Sequence, residues 1–265
     1  MLHLTPFITV YCLVLAGLLG ACMGSFLNCM AWRIVRGESF LSGRSHCDEC
    51  GHVLTAGDLV PIVSYLVHRG RCRWCGKKLS SRHLWGEIVS ALVFVSVVCK
   101  YDVSLQALEY LLWASVLLAC SFADLEGYII PDGLIIAGAL LRVPFILLSG
   151  AIGRELLFSL IGGILIPGVL LVVVLIFEKL VGREAMGGGD IKLLFVTGLY
   201  LGWAKNFLAL LLACVLGIVF GLATQKAREK NEDAAIFPFG PSIALAAWLA
   251  LLFGDAIISA YMGLF

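Results

Sequence analysis

Long runs of apolar residues recur along the whole chain and constrain its fold more than any other feature. Eight such runs lie at residues 8–31, 85–99, 106–123, 133–149, 156–177, 191–204, 207–224 and 238–263. The hydrocarbon core of a bilayer is about 30 Å thick and needs about 20 apolar residues in a helix. Backbone amides in lipid must be satisfied within the segment, so long runs without alternating polarity are expected to be helices. The sequence therefore predicts an all-α, polytopic membrane protein with about eight transmembrane helices.

The composition excludes the soluble and the disordered classes of protein. Hydrophobic residues make up 61% of the 265 residues and charged residues 14%, whereas soluble domains contain roughly 45–50% and about 25%. So few charged residues cannot cover a globular surface of this size, and so hydrophobic a chain is not expected to be disordered. Ten cysteines in 265 residues are also too sparse for a secreted fold stabilised by disulfides.

The basic residues predict the orientation of the helices. Nine of them lie between the first and second runs, and five more lie between the fifth and sixth or between the seventh and eighth. The alternate loops hold one each, Lys100, Arg154 and Lys205. Cytoplasmic loops carry an excess of Lys and Arg, so we expect the N-terminus on the far side of the membrane. The predicted domains are a first transmembrane helix at 1–32, a cytoplasmic domain at 33–84 and a transmembrane core at 85–265.

The predicted cytoplasmic domain contains two Cys-x-x-Cys pairs with 21 residues between them. The four cysteines are Cys47, Cys50, Cys72 and Cys75. Each pair offers two thiolates on a tight turn, and this separation suits a tetrahedral zinc site. Gly51 and Gly76 directly follow the pairs, where such a turn often needs a positive φ. The sequence therefore predicts a small zinc-knuckle domain in which zinc, or another metal that binds thiolates, contributes much of the folding free energy.

Other states of these cysteines are possible from the spacing alone. Two disulfides are disfavoured by the expected cytoplasmic location. A redox-active Cys-x-x-Cys pair normally lies in a thioredoxin-like βαβ unit, and the segment lacks that pattern. The six remaining cysteines lie singly in apolar runs and are expected to be small buried hydrophobic residues.

Two acidic residues at the ends of apolar runs are the candidates for catalysis. Asp124 follows the third run, and Asp190 follows Gly187, Gly188 and Gly189 at the start of the sixth. Acidic residues beside membrane spans are costly and often functional, and both are expected at the cytoplasmic face. Two carboxyl groups that meet there can share one proton and divide into an acid and a base. The three glycines would leave room for an extended substrate backbone.

Alternative roles for these acids remain open at this point. Asp190 is also a plausible N-cap of the helix that follows it, and Asp132, after Pro131, is more typical of a cap than of a catalyst. An ion-coupled transporter with a relay of Asp124, Asp190 and Lys192 would share the number of spans. Such a transporter predicts acids near the bilayer centre and internal repeats, neither of which the sequence contains. A metal-bearing scaffold without catalysis would leave the glycines before Asp190 unexplained.

An ordered set of motifs runs over nearly the whole chain. It comprises Gly24-Ser25-Phe26-Leu27-Asn28 with Arg33, the two cysteine pairs, Asp58-Leu59-Val60-Pro61, Ser64-Tyr65-Leu66, Arg69-Gly70-Arg71-Cys72, Ser80-Ser81-Arg82, Glu87, Asp124 with Pro131-Asp132, and Gly187-Gly188-Gly189-Asp190-Ile191-Lys192-Leu193. This set resembles the type IV prepilin peptidases, membrane aspartyl proteases of the GxGD type. The resemblance implies that Asp124 and Asp190 form the catalytic pair. Ala123 departs from the family, which usually has a bulkier aliphatic residue before the first aspartate.

The resemblance also implies an activity, a location and partners. The expected reaction is cleavage of the basic leader of prepilins or pseudopilins at the cytoplasmic face of the bacterial inner membrane, usually between a glycine and an apolar residue. Methylation of the new N-terminus with S-adenosylmethionine is implied as well, although no glycine-rich strand-to-helix loop marks a site for that donor. A peptidase without methyl transfer is the alternative. The expected partners are prepilins, pseudopilins and the lipid bilayer, with no nucleic acid.

Overall fold

The computed structural model of the chain describes residues 6–40, 43–47, 49–183, 186–228 and 238–264. Within these ranges the regular elements are helices, and no β-strand is present beyond two isolated bridges. The elements are α1 (Pro6–Val35), a 3₁₀ helix (Ala56–Leu59), α2 (Val63–Val67), α3 (Ser81–Tyr101), α4 (Leu105–Gly127), α5 (Asp132–Leu148), α6 (Ile152–Val181), α7 (Gly188–Arg228) and α8 (Gly240–Met262). The prediction of an all-α fold is confirmed.

Six of the described helices, α1, α3, α4, α6, α7 and α8, are long and apolar enough to cross a membrane. The remaining long helix, α5, has 17 residues, or about 26 Å at 1.5 Å per residue. Helix α7 consists of two helices joined at Gly202, whose φ of 73° and ψ of 173° are not helical. All eight predicted runs therefore correspond to helices. The connection expected near residue 205 is misplaced, since the break lies at Gly202.

The chain forms two compact units, residues 1–122 and 123–265. In the first unit, α1 and α3 pack closely through glycines of α1. A Cβ atom added to Gly20 would lie 2.7 Å from the Ser90 carbonyl oxygen, and one added to Gly24 would lie 2.7 Å from that of Gly86. Glycines four residues apart allow two membrane helices to bring their backbones together. This packing positions the ends of α1 and α3 that flank the cysteine segment.

In the second unit, a buried asparagine joins the two parts of α7 to α6. Asn206 is fully buried, and its Nδ2 donates to the carbonyl oxygens of Leu194, at 3.1 Å, and Gly162, at 3.2 Å. The Thr197 hydroxyl donates to Asn206 Oδ1 at 2.7 Å. These bonds hold the second part of α7 against the first, and the chain bends between the two parts at Gly202.

Candidate active site and metal centre

Asp124 lies in the last turn of α4 and is 5% exposed. Its Oδ2 accepts a hydrogen bond of 2.8 Å from the backbone N–H of Gly240, the first residue of α8. A Cβ atom at position 240 would lie 2.8 Å from that oxygen and 3.2 Å from Asp124 Cγ. Only glycine therefore leaves the Asp124 carboxyl group in this position.

Asp190 lies in the first turn of α7 and is half-buried. Its backbone N–H donates to the Gly187 carbonyl oxygen at 3.1 Å. The charge of Asp124 acts on the Asp190 carboxyl group, and the segment that follows Asp124 reaches the start of α7 at Ile130 and Gly189. The second unit thus brings together the two acids that the sequence singles out, from helices that are far apart along the chain.

The three glycines before Asp190 have different surroundings. Gly187 and Gly188 are exposed, and a Cβ atom at Gly188 would contact nothing within 4 Å. A Cβ atom at Gly189 would instead lie 3.0 Å from the Ile130 Cβ atom. Gly189 therefore allows the segment after Asp124 to pack against the start of α7, whereas Gly187 and Gly188 leave their side of the site open.

Asp132, the other acidic candidate, lies at the first residue of α5. Its Oδ1 is 2.7 Å from the Lys192 Nζ atom, and the two side chains are 67% and 53% exposed. An ion pair so accessible to solvent contributes little to stability. The described partner of Asp132 is thus a lysine, and the acid that interacts with Asp190 is Asp124.

Gly240 is a residue of this site that the sequence reasoning missed. It contacts an acid 116 positions earlier in the chain, and no periodic pattern links the two positions. The one local signal is the sequence Pro238-Phe239-Gly240-Pro241 at the start of the last apolar run. A glycine between prolines indicates a restricted backbone, but it does not say which side chain approaches it.

The four cysteines of the first unit form one cluster. Their sulfur atoms all lie within 4.8 Å of one another, and the Sγ atoms of Cys47 and Cys75 are 4.0 Å apart. Tetrahedral zinc with Zn–S bonds of about 2.3 Å separates its sulfur ligands by about 3.8 Å. The described cysteines form no disulfide. The cluster therefore has the composition and spacing to hold a metal ion.

Each cysteine pair is built on a short turn closed by backbone hydrogen bonds. The Cys47 N–H donates to the His52 carbonyl oxygen at 3.0 Å, and the Cys72 N–H donates to that of Lys77 at 2.8 Å. Gly51 has a φ of 67° and Gly76 a φ of 71°, which confirms the positive φ predicted at both positions.

The second turn favours a thiolate at Cys72. The backbone N–H groups of Cys75 and Trp74 lower the pKa of the Cys72 thiol to about 7, because these hydrogen bonds stabilise the charged sulfur. Thiolates are the form in which cysteine binds soft metal ions. Burial and the neighbouring thiols instead raise the pKa of Cys75 to about 11. The donor atoms and their spacing therefore fit a metal of the zinc type, and binding it would release protons from the cluster.

The chain is similar to known proteins over nearly its full length. The family model described as the type IV leader peptidase family matches residues 111–222, and that of the bacterial peptidase A24 N-terminal domain matches residues 18–101. Several relatives are named prepilin leader peptidase/N-methyltransferase. The one from Pseudomonas putida is 33% identical over 96% of this chain and 95% of its own length. The one from Aeromonas hydrophila is 37% identical over 83% of this chain and 74% of its own length. The Bacillus subtilis relative of that name is 30% identical over 92% of this chain and 95% of its own length. No solved structure matches.

Proposed function

The chain belongs to the type IV leader peptidase family, and we propose that it removes the leader of prepilins and pseudopilins and then methylates the new N-terminus. The proposed peptidase activity is supported by the hydrogen bond of the Gly240 N–H to Asp124 and by the effect of the Asp124 charge on Asp190. The names of the relatives support both activities. The apolar helices support a multi-pass protein, which we place in the bacterial inner membrane.

The proposed cleavage divides the work between the two aspartates. One carboxylate removes a proton from a water molecule, which attacks the scissile carbonyl carbon, while the other carboxyl group is protonated and donates a hydrogen bond to the carbonyl oxygen. The protonated acid then supplies a proton to the leaving amine. The Gly240 N–H holds the Asp124 carboxyl group in one orientation throughout.

The surroundings of the pair favour a substrate that arrives as an extended backbone. The exposed Gly187 and Gly188 carry no side chains beside Asp190, so a peptide can approach it closely. An apolar segment of the substrate would lie in the lipid and present the leader at the membrane surface. The excess of basic residues between α1 and α3 supports the cytoplasmic face as this surface.

Zinc and S-adenosylmethionine are the two groups that this function would use besides water. We place zinc between Cys47, Cys50, Cys72 and Cys75, where it would cross-link the two turns and stabilise the segment. It takes no part in the proposed cleavage. S-adenosylmethionine would supply the methyl group. A peptidase without methyl transfer is the alternative, and the match of residues 18–101 to the family's N-terminal domain model favours the bifunctional enzyme.

Purified full-length protein in detergent, mixed with a prepilin, tests both activities in one mass spectrum. Without S-adenosylmethionine we expect the substrate to lose the mass of its leader. With S-adenosylmethionine we expect the product to gain the mass of one methyl group. The matched control is a prepilin with arginine in place of the glycine before the scissile bond, which should stay intact. An uncut wild-type prepilin would contradict the peptidase, and a cut but unmethylated one would contradict the methyltransferase.

A further inference from the structure

A cavity of about 210 Å³ lies in the first unit, where the cysteine segment meets the end of α1 and the start of α3. One buried water molecule occupies about 10–15 Å³ of such a volume, so the cavity has room for a ligand of many atoms. Its wall combines aromatic, acidic and basic side chains. Those used below are Trp32, Arg33, Asp58, Tyr65 and Glu87.

We propose that this cavity is the binding site for S-adenosylmethionine, with Glu87 as its central acceptor. The inference rests on the proposed methyltransferase activity and gives it a place in the chain. S-adenosylmethionine combines groups of different chemistry: an adenine ring, two ribose hydroxyls, a cationic sulfonium and a zwitterionic amino-acid end. A site for it needs acidic, basic and aromatic groups around one enclosed volume, and a mixed wall of this kind is typical of small-molecule sites.

Glu87 has an uncommon position for a carboxylate. It is 8% exposed, and its Oε2 accepts a hydrogen bond of 2.6 Å from the Ile62 N–H. Within the described residues its Oε1 has no hydrogen-bond partner. Oε1 is not one of the fully buried atoms that lack a partner, so a hydrogen-bond donor of a ligand in the cavity can reach it and add a second bond to the carboxylate. Ribose hydroxyls are donors of this kind, and a sulfonium cation is attracted by the same charge.

The backbone beside Glu87 is strained. Ile62 has a φ of 63°, which is a rare conformation for a β-branched residue. The hydrogen bond to Glu87 holds it there. Strained residues cluster at functional sites, where the surrounding structure imposes them. The strain at Ile62 thus singles out the same part of the cavity wall as the unpartnered oxygen of Glu87.

Asp58 supplies a second carboxylate. Its Oδ2 accepts hydrogen bonds from the Thr55 hydroxyl, at 2.6 Å, and the Thr55 N–H, at 3.0 Å. These bonds lower the pKa of the Asp58 carboxyl group, and its Oδ1 lies 3.7 Å from the His68 Nε2 atom. The cavity wall therefore carries two carboxylates, whose negative charges would both attract the positive charges of the donor.

Arg33 supplies the complementary cation. It is 8% exposed, and its two terminal nitrogens each lie 3.4 Å from a backbone carbonyl oxygen, that of Ser39 or Arg44. These contacts orient the guanidinium at the cavity wall. A guanidinium in a fixed orientation binds a carboxylate with high geometric specificity, and the amino-acid end of the donor carries one.

Two aromatic residues complete the wall. Trp32 packs its ring against the Arg36 guanidinium, 3.8 Å from the ring centroid, and Tyr65 lies on the short helix α2. Flat aromatic faces stack on nucleobases and attract cations. In the transfer, a methyl group would leave the sulfonium sulfur for the amine nitrogen. The amine would lose a proton and the donor would leave as the neutral thioether S-adenosylhomocysteine.

Titration calorimetry of the purified full-length protein with S-adenosylhomocysteine tests the site without a catalytic readout. We expect wild type to bind, and Glu87→Gln to bind about tenfold more weakly, because a charged acceptor becomes a neutral amide. The amide oxygen can still accept the Ile62 N–H, so folding should be retained. Glu38→Gln is the matched control, because Glu38 is exposed and does not line the cavity, and it should bind like wild type.

Folding of the variants is checked by their metal content and melting temperature. If Glu87→Gln fails that check, Trp32→Leu takes its place and should show the same tenfold loss. Absent binding to wild type, or wild-type affinity in a folded Glu87→Gln or Trp32→Leu variant, would overturn the proposal. A leader-cleavage assay on the same preparation distinguishes the claim about the donor site from the claim about the peptidase activity. Cleavage without binding overturns the donor site alone, and binding without cleavage overturns the peptidase alone.

Discussion

The backbone N–H of Gly240 donates a hydrogen bond of 2.8 Å to Asp124 Oδ2, across 116 residues of chain. This bond ties the start of α8 to the end of α4. Asp124 is therefore held from one side by a rigid backbone donor, and its charge acts on the second acid, Asp190. Such fixed positioning is what general acid–base catalysis requires, since its efficiency depends on geometry before acidity.

Gly240→Ala should reduce kcat about tenfold to a hundredfold, with a smaller change in KM. The new Cβ atom would displace the Asp124 carboxyl group, and shifts of about 1 Å in a catalytic group can cost about a hundredfold. Steady-state cleavage of a prepilin measures both constants. Gly168→Ala is the matched control, because a Cβ atom there would contact nothing within 4 Å. A Gly240→Ala enzyme with wild-type kcat would show that the contact does not position Asp124.

The cysteine cluster should bind about one zinc ion per chain, and Cys47→Ser should abolish this binding. Because the metal supplies much of the folding free energy of so small a segment, its loss should lower the melting temperature by about 5 °C or more. Metal analysis and thermal unfolding measure the two effects. Cys214→Ser, which alters an exposed cysteine outside the cluster, should change neither. Full metal content in Cys47→Ser would refute the site.

Much of the fold can be predicted from the sequence because few backbone structures satisfy all their hydrogen bonds in lipid. Each apolar run must satisfy its own backbone amides, so the runs at 8–31 and 238–263 become helices whatever their tertiary contacts. The position of the break in α7 does not follow in the same way. Polar Lys205 and Asn206 suggest a loop, but Asn206 is buried in hydrogen bonds. Gly202, without a polar neighbour, adopts the non-helical conformation instead.

The candidate site could be predicted only in part for a similar reason. Asp124 and Asp190 stand out because charge beside an apolar run is costly, and the cysteines stand out because their spacing is specific. Gly240 has neither a charge nor a specific spacing, because its role depends on a tertiary contact. The cavity near Glu87 is likewise assembled from separate segments, so no contiguous motif for a methyl donor is present.

Asn206→Leu should destabilise the protein by about 2 kcal/mol. The substitution removes the hydrogen bonds to Gly162 and Leu194, and a hydrogen bond contributes about 1 kcal/mol. The Leu194 carbonyl oxygen keeps the Thr197 hydroxyl as a donor. The expected fall in melting temperature in detergent is about 4–8 °C. Phe207→Leu, at the neighbouring half-exposed position, should have a much smaller effect. Equal melting temperatures for the two variants would mean that Asn206 does not fix the bend.

Thr55→Val should lower the stability of the cysteine segment at neutral pH but not at low pH. The Thr55 hydrogen bonds lower the pKa of Asp58 below its usual value of 3.8. A lowered pKa stabilises the folded state above the unfolded value, and this stabilisation is lost as the pH falls through the folded value. The melting-temperature difference between wild type and Thr55→Val should therefore shrink below pH 3.8. Thr55→Ser, which retains the hydroxyl, should behave like wild type, and a difference that does not vary with pH would contradict this explanation.

The central claim, that Asp124 and Asp190 act as a catalytic pair, is tested most directly by prepilin cleavage with Asp124→Asn and Asp190→Asn. Asparagine has nearly the same shape but cannot exchange the proton, so each variant should lose about a hundredfold or more in kcat while it still binds substrate. Asp132→Asn, which alters only an exposed ion pair with Lys192, is the matched control and should cut at close to the wild-type rate. If Asp124→Asn or Asp190→Asn cuts as fast as wild type, or if Asp132→Asn is the inactive variant, the assignment of the pair is wrong.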